Sequence, residues 1–162
     1  MDVEVLKSYN DFLQLDTMLC FENSGKGKLE VAAFGVKEKS EWVGRCMDYY
    51  NNRSFVKPDG SYDMKVLPYV IRDCLHNDNY TLVKVNSIEE ALNVEDDAIP
   101  VFSCEFFSPK SYETGKINKT NETYSIHHFA GSWVSKTDKI HLALWRKTPD
   151  CLKKLLKKWK KN

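Results

Sequence analysis

Two adjacent histidines and a Gly-Ser-Trp group give one segment of this sequence the side chains best suited to chemistry. The segment from Thr123 to Trp133 reads TYSIHHFAGSW. A neutral imidazole can ligate a metal, a serine hydroxyl follows closely, and backbone amides in a glycine-containing turn can face an anion. Trp133 adds a flat apolar wall with one N–H donor. The alternative is a hydrogen-bonded strand histidine beside a tryptophan that belongs to the core.

Strand periodicity separates the two histidines. Neighbouring residues of a strand face opposite sides, so His127 and His128 cannot both face one site unless the strand bulges or ends there. One of them is therefore expected to be a packing or surface residue. Two histidines without neighbouring carboxylates do not define a metal site by spacing alone.

The composition indicates one globular domain. The chain has 162 residues, of which 42% are hydrophobic and 12% aromatic, enough for an ordinary core. Lys plus Arg total 24 against 23 for Asp plus Glu, which argues against nucleic acid as the main partner. We find no run of about 18 apolar residues and no secretion leader, so we expect a cytoplasmic chain without a membrane span. The five cysteines form no CxxC pair, which favours reduced thiols over a disulfide framework or a zinc site.

The elements that must position the histidines alternate between short strands and helices. The order β-β-α-α-β-α-β-β predicts an α/β or α+β domain. Strands are predicted over 16–23, 28–36, 80–85, 99–107 and 123–129, and helices over 40–52, 64–78 and 87–93.

The last seventeen residues, RKTPDCLKKLLKKWKKN, contain eight Lys or Arg against one Asp. Leucines and a tryptophan recur at helical spacing after Pro149 and Asp150, which can start a helix. Such a helix can lie on an anionic membrane surface, at roughly 1 kcal/mol per basic residue before screening. The alternative is a helix that packs its leucines on the domain. The predicted membrane-surface residues are Lys153, Lys154, Lys157, Lys158 and Trp159.

Three blocks of the sequence are informative together: the opening MDVEVLKSYNDF, FSPKSYETGK (107–116) and TYSIHHFAGSW. In this order they resemble a family of nucleotide-sugar glycosyltransferases with a DXD motif, in which the opening is similar to the segment around and after that motif. The family includes bacterial capsular and other surface-polysaccharide transferases, initiating mannosyltransferases of the Golgi and, more distantly, the glucosylating toxins. The resemblance implies an α/β fold: residues 1–149 as the C-terminal part of a Rossmann-like domain of GT-A type, with a mixed sheet and flanking helices. Residues 150–162 then form the basic helix.

The resemblance also implies a metal site. In such enzymes Mn²⁺ or Mg²⁺ bridges the diphosphate of the donor and offsets its charge as the glycosidic bond breaks. Asp2 corresponds to the second aspartate of the DXD motif, and His127 is preferred over His128 as the imidazole ligand. The expected metal ligands are Asp2, His127 and Ser132. The expected donor-binding residues are Trp133, His128 and Gly131.

The implied function is transfer of a sugar from a nucleoside-diphosphate donor to a saccharide or lipid-linked acceptor, in capsular or surface polysaccharide synthesis. The enzyme would be cytoplasmic, or peripheral at the inner face of the membrane. Met1 occupies the central position of the DXD motif, so we expect a truncated chain whose nucleotide-binding half lies upstream and which transfers no sugar by itself. Many relatives place a donor-contacting asparagine in the region after the first strand, where GKLEVAAFGV offers Glu30 and no asparagine, so the donor sugar is not implied. The alternatives are an inactive remnant that acts as a binding or membrane-associated module, and a small phosphate- or metal-binding protein.

Overall fold

The structure is a mixed α/β arrangement in which helices flank a mixed sheet. It is a computed structural model that describes residues 2–24, 27–132, 134–149 and 151–153. A 3₁₀ turn, Asn10–Phe12, joins the first two strands. In chain order the elements are β1 (Val3–Val5), β2 (Thr17–Phe21), β3 (Leu29–Val36), α1 (Glu41–Tyr50), α2 (Leu67–Asn77), β4 (Thr81–Val85), α3 (Ile88–Leu92), β5 (Ala98–Phe102), α4 (Cys104–Phe107), β6 (Ser125–His127) and α5 (Lys136–Lys147).

The larger sheet has the strand order β3-β2-β5-β4. β5 runs parallel to both β2 and β4, whereas β2 and β3 are antiparallel. The register of β2 and β3 shifts between Met18 and Cys20, after which Cys20 lies opposite Glu30. On β3 this irregularity lies between Gly35 and Glu30, so Glu30 is the first paired residue after a feature of the kind that re-aims side chains.

Both faces of the larger sheet are covered, which explains why β2 and β5 are almost continuously apolar. One face packs on α1 and α2, and its fully buried residues include Leu19, Ile71, Leu75 and Val101. The other face is covered by an aromatic cluster, whose buried members include Phe12, Phe102, Phe106, Phe107 and Tyr124.

The predicted elements match the structure in most places. Within the helix predicted over 64–78, Pro68 can either kink the helix or mark its start. It stands in the first turn of α2, which begins at Leu67, where a missing N–H costs little, so it marks the start. The strand predicted over 99–107 is wrong in its second half, because β5 ends at Phe102 and α4 follows. A helical turn there buries both Phe106 and Phe107 in the aromatic cluster, whereas a strand would send them to opposite sides.

Besides α4 and the 3₁₀ turn, two elements were not predicted, β1 and α5. β1 has only three residues, and α5 buries none of its side chains, so neither shows a strong apolar period. Among the helices that the structure describes, none has the length and apolar character needed to cross a membrane.

The basic C-terminal segment is described only at its start. Residues 151–153 form a helical turn, and the Lys153 N–H donates to the Pro149 carbonyl at 3.0 Å. Four of the predicted membrane-surface residues lie outside the described residues: Lys154, Lys157, Lys158 and Trp159.

Candidate functional site

A small second sheet brings the opening residues to the histidine segment. β1 and β6 pair antiparallel, with Val3 opposite His127 and Val5 opposite Ser125. The His128 N–H donates to the Asp2 carbonyl at 2.7 Å and extends this ladder by one bond. Asp2 and His127 therefore become neighbours although 124 residues separate them in the sequence.

The His127 ring lies between two carboxylates. Its Nδ1 is 2.9 Å from Glu30 Oε2, and its Nε2 is 3.2 Å from Asp2 Oδ2. The three side chains differ in exposure, which is 3% for Glu30, 15% for His127 and 49% for Asp2. The ring thus connects a buried carboxylate to one that faces solvent.

Glu30 is a buried acid with three hydrogen-bond partners. Its Oε1 accepts from the Ala32 N–H at 2.7 Å. Its Oε2 accepts from the Ser108 hydroxyl at 2.8 Å and faces His127 Nδ1. The sequence contained one signal for this residue, a single acid in the otherwise apolar run LEVAAFGV, but it was not predicted to act at the site.

A strained turn after β6 holds the His127 ring and the Asp2 carboxylate in place. Phe129 has φ +53°, which is unusual for a bulky residue, and Gly131 has φ +54°. The Phe129 ring lies 4.0 Å from the His127 ring, centroid to centroid, and the Ala130 N–H donates to Asp2 Oδ1 at 2.6 Å. Strain of this kind persists where the surrounding contacts over-determine it, and it clusters at functional sites.

The pKa values of the three groups respond to one another. Burial alone would lower the pKa of His127, but hydrogen bonding and charge from Glu30 and then Asp2 outweigh it and raise this pKa. Burial would raise the pKa of Glu30, but hydrogen bonds from His127, Ala32 and Ser108 hold it below its ordinary value. The Ala130 N–H and His127 likewise lower the pKa of Asp2 against a smaller effect of burial. Each of the three groups therefore favours the charged form of its neighbour.

A cavity of about 500 Å³ opens beside this group. Its charged lining consists of Asp2, Glu22, Lys28, Glu30, His127, Asp138 and Lys139. Its apolar lining includes Leu29, Val31, Pro68, Phe129, Val134 and Leu142. Two other cavities, of about 440 and 750 Å³, contain none of the predicted site residues among their described lining. We therefore take the cavity beside His127 as the candidate site.

Asp2 Oδ2 and His127 Nε2 have the spacing that two ligands of one divalent cation would have. Neighbouring ligands at right angles and about 2.1 Å from an ion are about 3 Å apart, and Asp2 Oδ2 and His127 Nε2 are 3.2 Å apart. Glu30 on Nδ1 supplies the carboxylate partner that metal-ligating histidines usually have. No group of three or more His, Cys, Asp or Glu side chains suited to a metal occurs within the described residues. The pair would thus supply two ligands and leave the other positions to water or substrate oxygens, as is common for Mg²⁺.

Of the other predicted site residues, only some lie beside the cavity. Gly131 lines the cavity, but Ser132 is exposed and is not among the described lining residues. His128 faces the opposite side of the strand, where its Nε2 lies 2.8 Å from Glu4 Oε2. Trp133 lies outside the described residues.

Lys110 belongs to the block FSPKSYETGK and contacts the backbone at the start of this turn. Its Nζ donates to the His128 carbonyl at 2.8 Å. Burial and the charge of Arg146 lower the pKa of Lys110. This block therefore contacts the histidine segment directly in the fold.

Comparison with known proteins adds no assignment. No family model matches the chain, and searches of curated proteins and of solved structures also found no match.

Proposed function

We propose that this chain is part of a metal-assisted glycosyltransferase domain, Rossmann-like and of GT-A type, that uses a nucleoside-diphosphate sugar. The observation that supports it most is the approach of Asp2 Oδ2 to His127 Nε2 at 3.2 Å on the wall of a cavity. These are two of the three residues that the resemblance names as ligands; the third, Ser132, is not among the described lining of the cavity. The β1–β6 pairing had no part in that expectation. The acceptor would be a saccharide or a lipid-linked saccharide, in capsular or surface polysaccharide synthesis.

The cavity has a size that suits such a donor, and its charges favour a donor that binds together with a cation. Its volume of about 500 Å³ lies within the usual range for small-molecule sites, about 300–1,000 Å³. Its carboxylates outnumber its two lysines, Lys28 and Lys139, so a diphosphate alone would be repelled. We therefore expect donor binding to require the cation.

Each residue has a separate task in this proposal. Asp2 and His127 would hold Mn²⁺ or Mg²⁺, which would offset the negative charge that develops on the leaving diphosphate. Lys28 and Lys139 would face the phosphate oxygens from the cavity wall. The strained turn at Phe129 keeps the Ala130 N–H on Asp2 Oδ1, which leaves Oδ2 for the cation.

Donor binding tests the proposal on the chain as it is. UDP- and GDP-sugars would be titrated into isotope-labelled protein with and without Mg²⁺ and followed by NMR. Donor hydrolysis would be assayed separately with Mn²⁺. We expect cavity resonances to shift only when the cation is present. Asp2→Ala and His127→Ala should each weaken binding by at least about tenfold, the lower end of the effect of disturbing metal-site residues.

His128→Ala is the matched control, since His128 is the adjacent histidine on the opposite face of β6. It should leave donor binding unchanged. Binding that survives His127→Ala but not His128→Ala would contradict the site. A folded protein that binds no donor in the presence of either cation would favour the inactive remnant, a binding or membrane-associated module.

A further inference from the structure

We infer that Glu30 is a positioning residue that fixes the neutral His127 ring with its proton on Nδ1, so that the Nε2 lone pair faces Asp2. The inference rests on the proposed function only in taking Nε2 as the atom that binds the cation. The tautomer itself follows from the contacts of the two carboxylates. Glu30 lies in the region where the resemblance implies a donor-contacting asparagine, but its carboxylate is directed at His127.

The Glu30 carboxylate is held in a fixed orientation. The Ala32 N–H that donates to Oε1 is a backbone donor on the same strand, two residues further on, and cannot turn away. The Ser108 hydroxyl donates to Oε2 from the segment after α4. Oε2 therefore presents a lone pair to His127 Nδ1 at 2.9 Å.

The two carboxylates compete unequally for the single proton of a neutral ring. The contact to Glu30 is shorter, 2.9 Å against 3.2 Å, and Glu30 is almost fully buried whereas Asp2 is half exposed. A hydrogen bond in a low-dielectric interior is stronger than one that water can replace. The proton is therefore expected on the Glu30 side.

Glu30→Gln should reverse the tautomer. The amide must keep its oxygen on the Ala32 N–H, because two donors would otherwise face each other. Its NH₂ group then faces Ser108 Oγ and His127 Nδ1, both of which can accept. A ring that accepts at Nδ1 must have its proton on Nε2, where it would point at Asp2 and block a cation.

Nitrogen NMR of the His127 side chain tests this without metal or donor. At a pH where the ring is neutral, the protonated and unprotonated ring nitrogens resonate far apart, so their positions identify the tautomer. We expect the proton on Nδ1 in the unmodified protein and on Nε2 in Glu30→Gln. Ser108→Ala is the matched control: it removes another donor to Oε2 but retains the carboxylate, and should leave the tautomer unchanged.

The result in the unmodified protein is decisive even if Glu30→Gln fails to fold. A proton on Nε2 there overturns the inference. A reversed tautomer in Ser108→Ala, or an unreversed one in folded Glu30→Gln, also overturns it.

Metal affinity gives a second readout. Loss of a carboxylate behind a ligating histidine usually weakens metal binding about 10- to 100-fold. Calorimetry with Mn²⁺ alone should show a loss in that range for Glu30→Gln and none beyond about twofold for Ser108→Ala. Equal losses in both variants would mean that Glu30 acts only through general packing.

The two proposals can fail separately. If the tautomer is as expected but no donor binds, the proposed function fails and the positioning role of Glu30 stands. If donor binds with His127 protonated on Nε2, the positioning role fails and the proposed function stands.

Discussion

The strongest quantitative prediction concerns how tightly His127 is coupled to each of its two carboxylates. We consider double-mutant cycles that use His127→Leu with Glu30→Met and, separately, with Asp2→Ala. Each cycle isolates one pairwise interaction from the other effects of the substitutions. Glu30 and His127 are 3% and 15% exposed and 2.9 Å apart. Hydrogen bonds to charged groups contribute about 1.5–3 kcal/mol, and the burial of this pair places it in the upper half of that range.

The Asp2 pair should be much weaker. Asp2 is 49% exposed and its oxygen lies 3.2 Å from Nε2. Solvent-exposed ion pairs typically contribute about 0.2–1 kcal/mol, so we expect a coupling below about 1 kcal/mol. The Glu4–His128 pair on the opposite face provides a reference, because it is 2.8 Å long and has exposures of 54% and 35%. It too should stay below about 1 kcal/mol.

The assay is urea unfolding of the four proteins of each cycle at mildly acidic pH, where His127 is protonated. Added salt should reduce the Asp2 and Glu4 couplings and change the Glu30 coupling little, because buried pairs are screened less. A Glu30–His127 coupling no larger than that of Glu4 and His128 would refute this account of the site.

Three further predictions concern pH, packing and the C-terminal segment. His127 has a raised pKa, so the stability it contributes is complete below its ordinary pKa of 6.5 and is lost as pH rises through the raised value. The difference in unfolding free energy between the unmodified protein and His127→Leu should therefore shrink from mildly acidic to alkaline pH, and a constant difference would contradict this. Phe107→Ala, at a fully buried position in the aromatic cluster, should cost about 3–5 kcal/mol in denaturant unfolding; the matched change at exposed Tyr62 should cost under about 0.5 kcal/mol. If the basic segment is a membrane-surface helix, the chain should sediment with anionic vesicles at low salt and lose this binding when residues 150–162 are deleted; binding that survives the deletion would exclude it.

The sequence predicts those elements of the fold whose apolar period and length distinguish a strand from a helix. Strand alternation predicted that His127 and His128 face opposite sides, and the structure has them so. The run 99–107 was predicted as one strand because a short apolar run does not distinguish a buried strand from a buried helix. The turn to α4 is decided by packing of Phe106 and Phe107 on residues distant in sequence, including Phe12.

The candidate site could be predicted only in part for a related reason. Spacing does not connect Asp2 with His127, so their association was expected from the resemblance alone. Neither residue spacing nor the resemblance identified Glu30 as a site residue. Its role depends on a register shift beside Cys20 and on a hydroxyl from the segment after α4. A lone acid in an apolar strand nevertheless indicates a buried partner, because an unpaired carboxylate at such a position is costly.

The placement of β1 and the competence of the site depend on each other. β1 has three residues, all at least partly exposed, so burial of apolar surface contributes little to holding it. Its ladder with β6 is extended by the Leu6 and Lys7 amides, which donate to the Tyr124 carbonyl, and by the contacts of Asp2 with Ala130 and His127. Asp2 therefore belongs both to the attachment of the strand and to the proposed ligand pair. Because a ligand that binds only the ordered state stabilises it by RT ln(1 + [L]/Kd), a cation held between Asp2 and His127 must also stabilise β1 against local opening. Conversely, a substitution that opens β1 lowers the fraction of chains able to hold the cation and so weakens its binding, even where it touches no ligand.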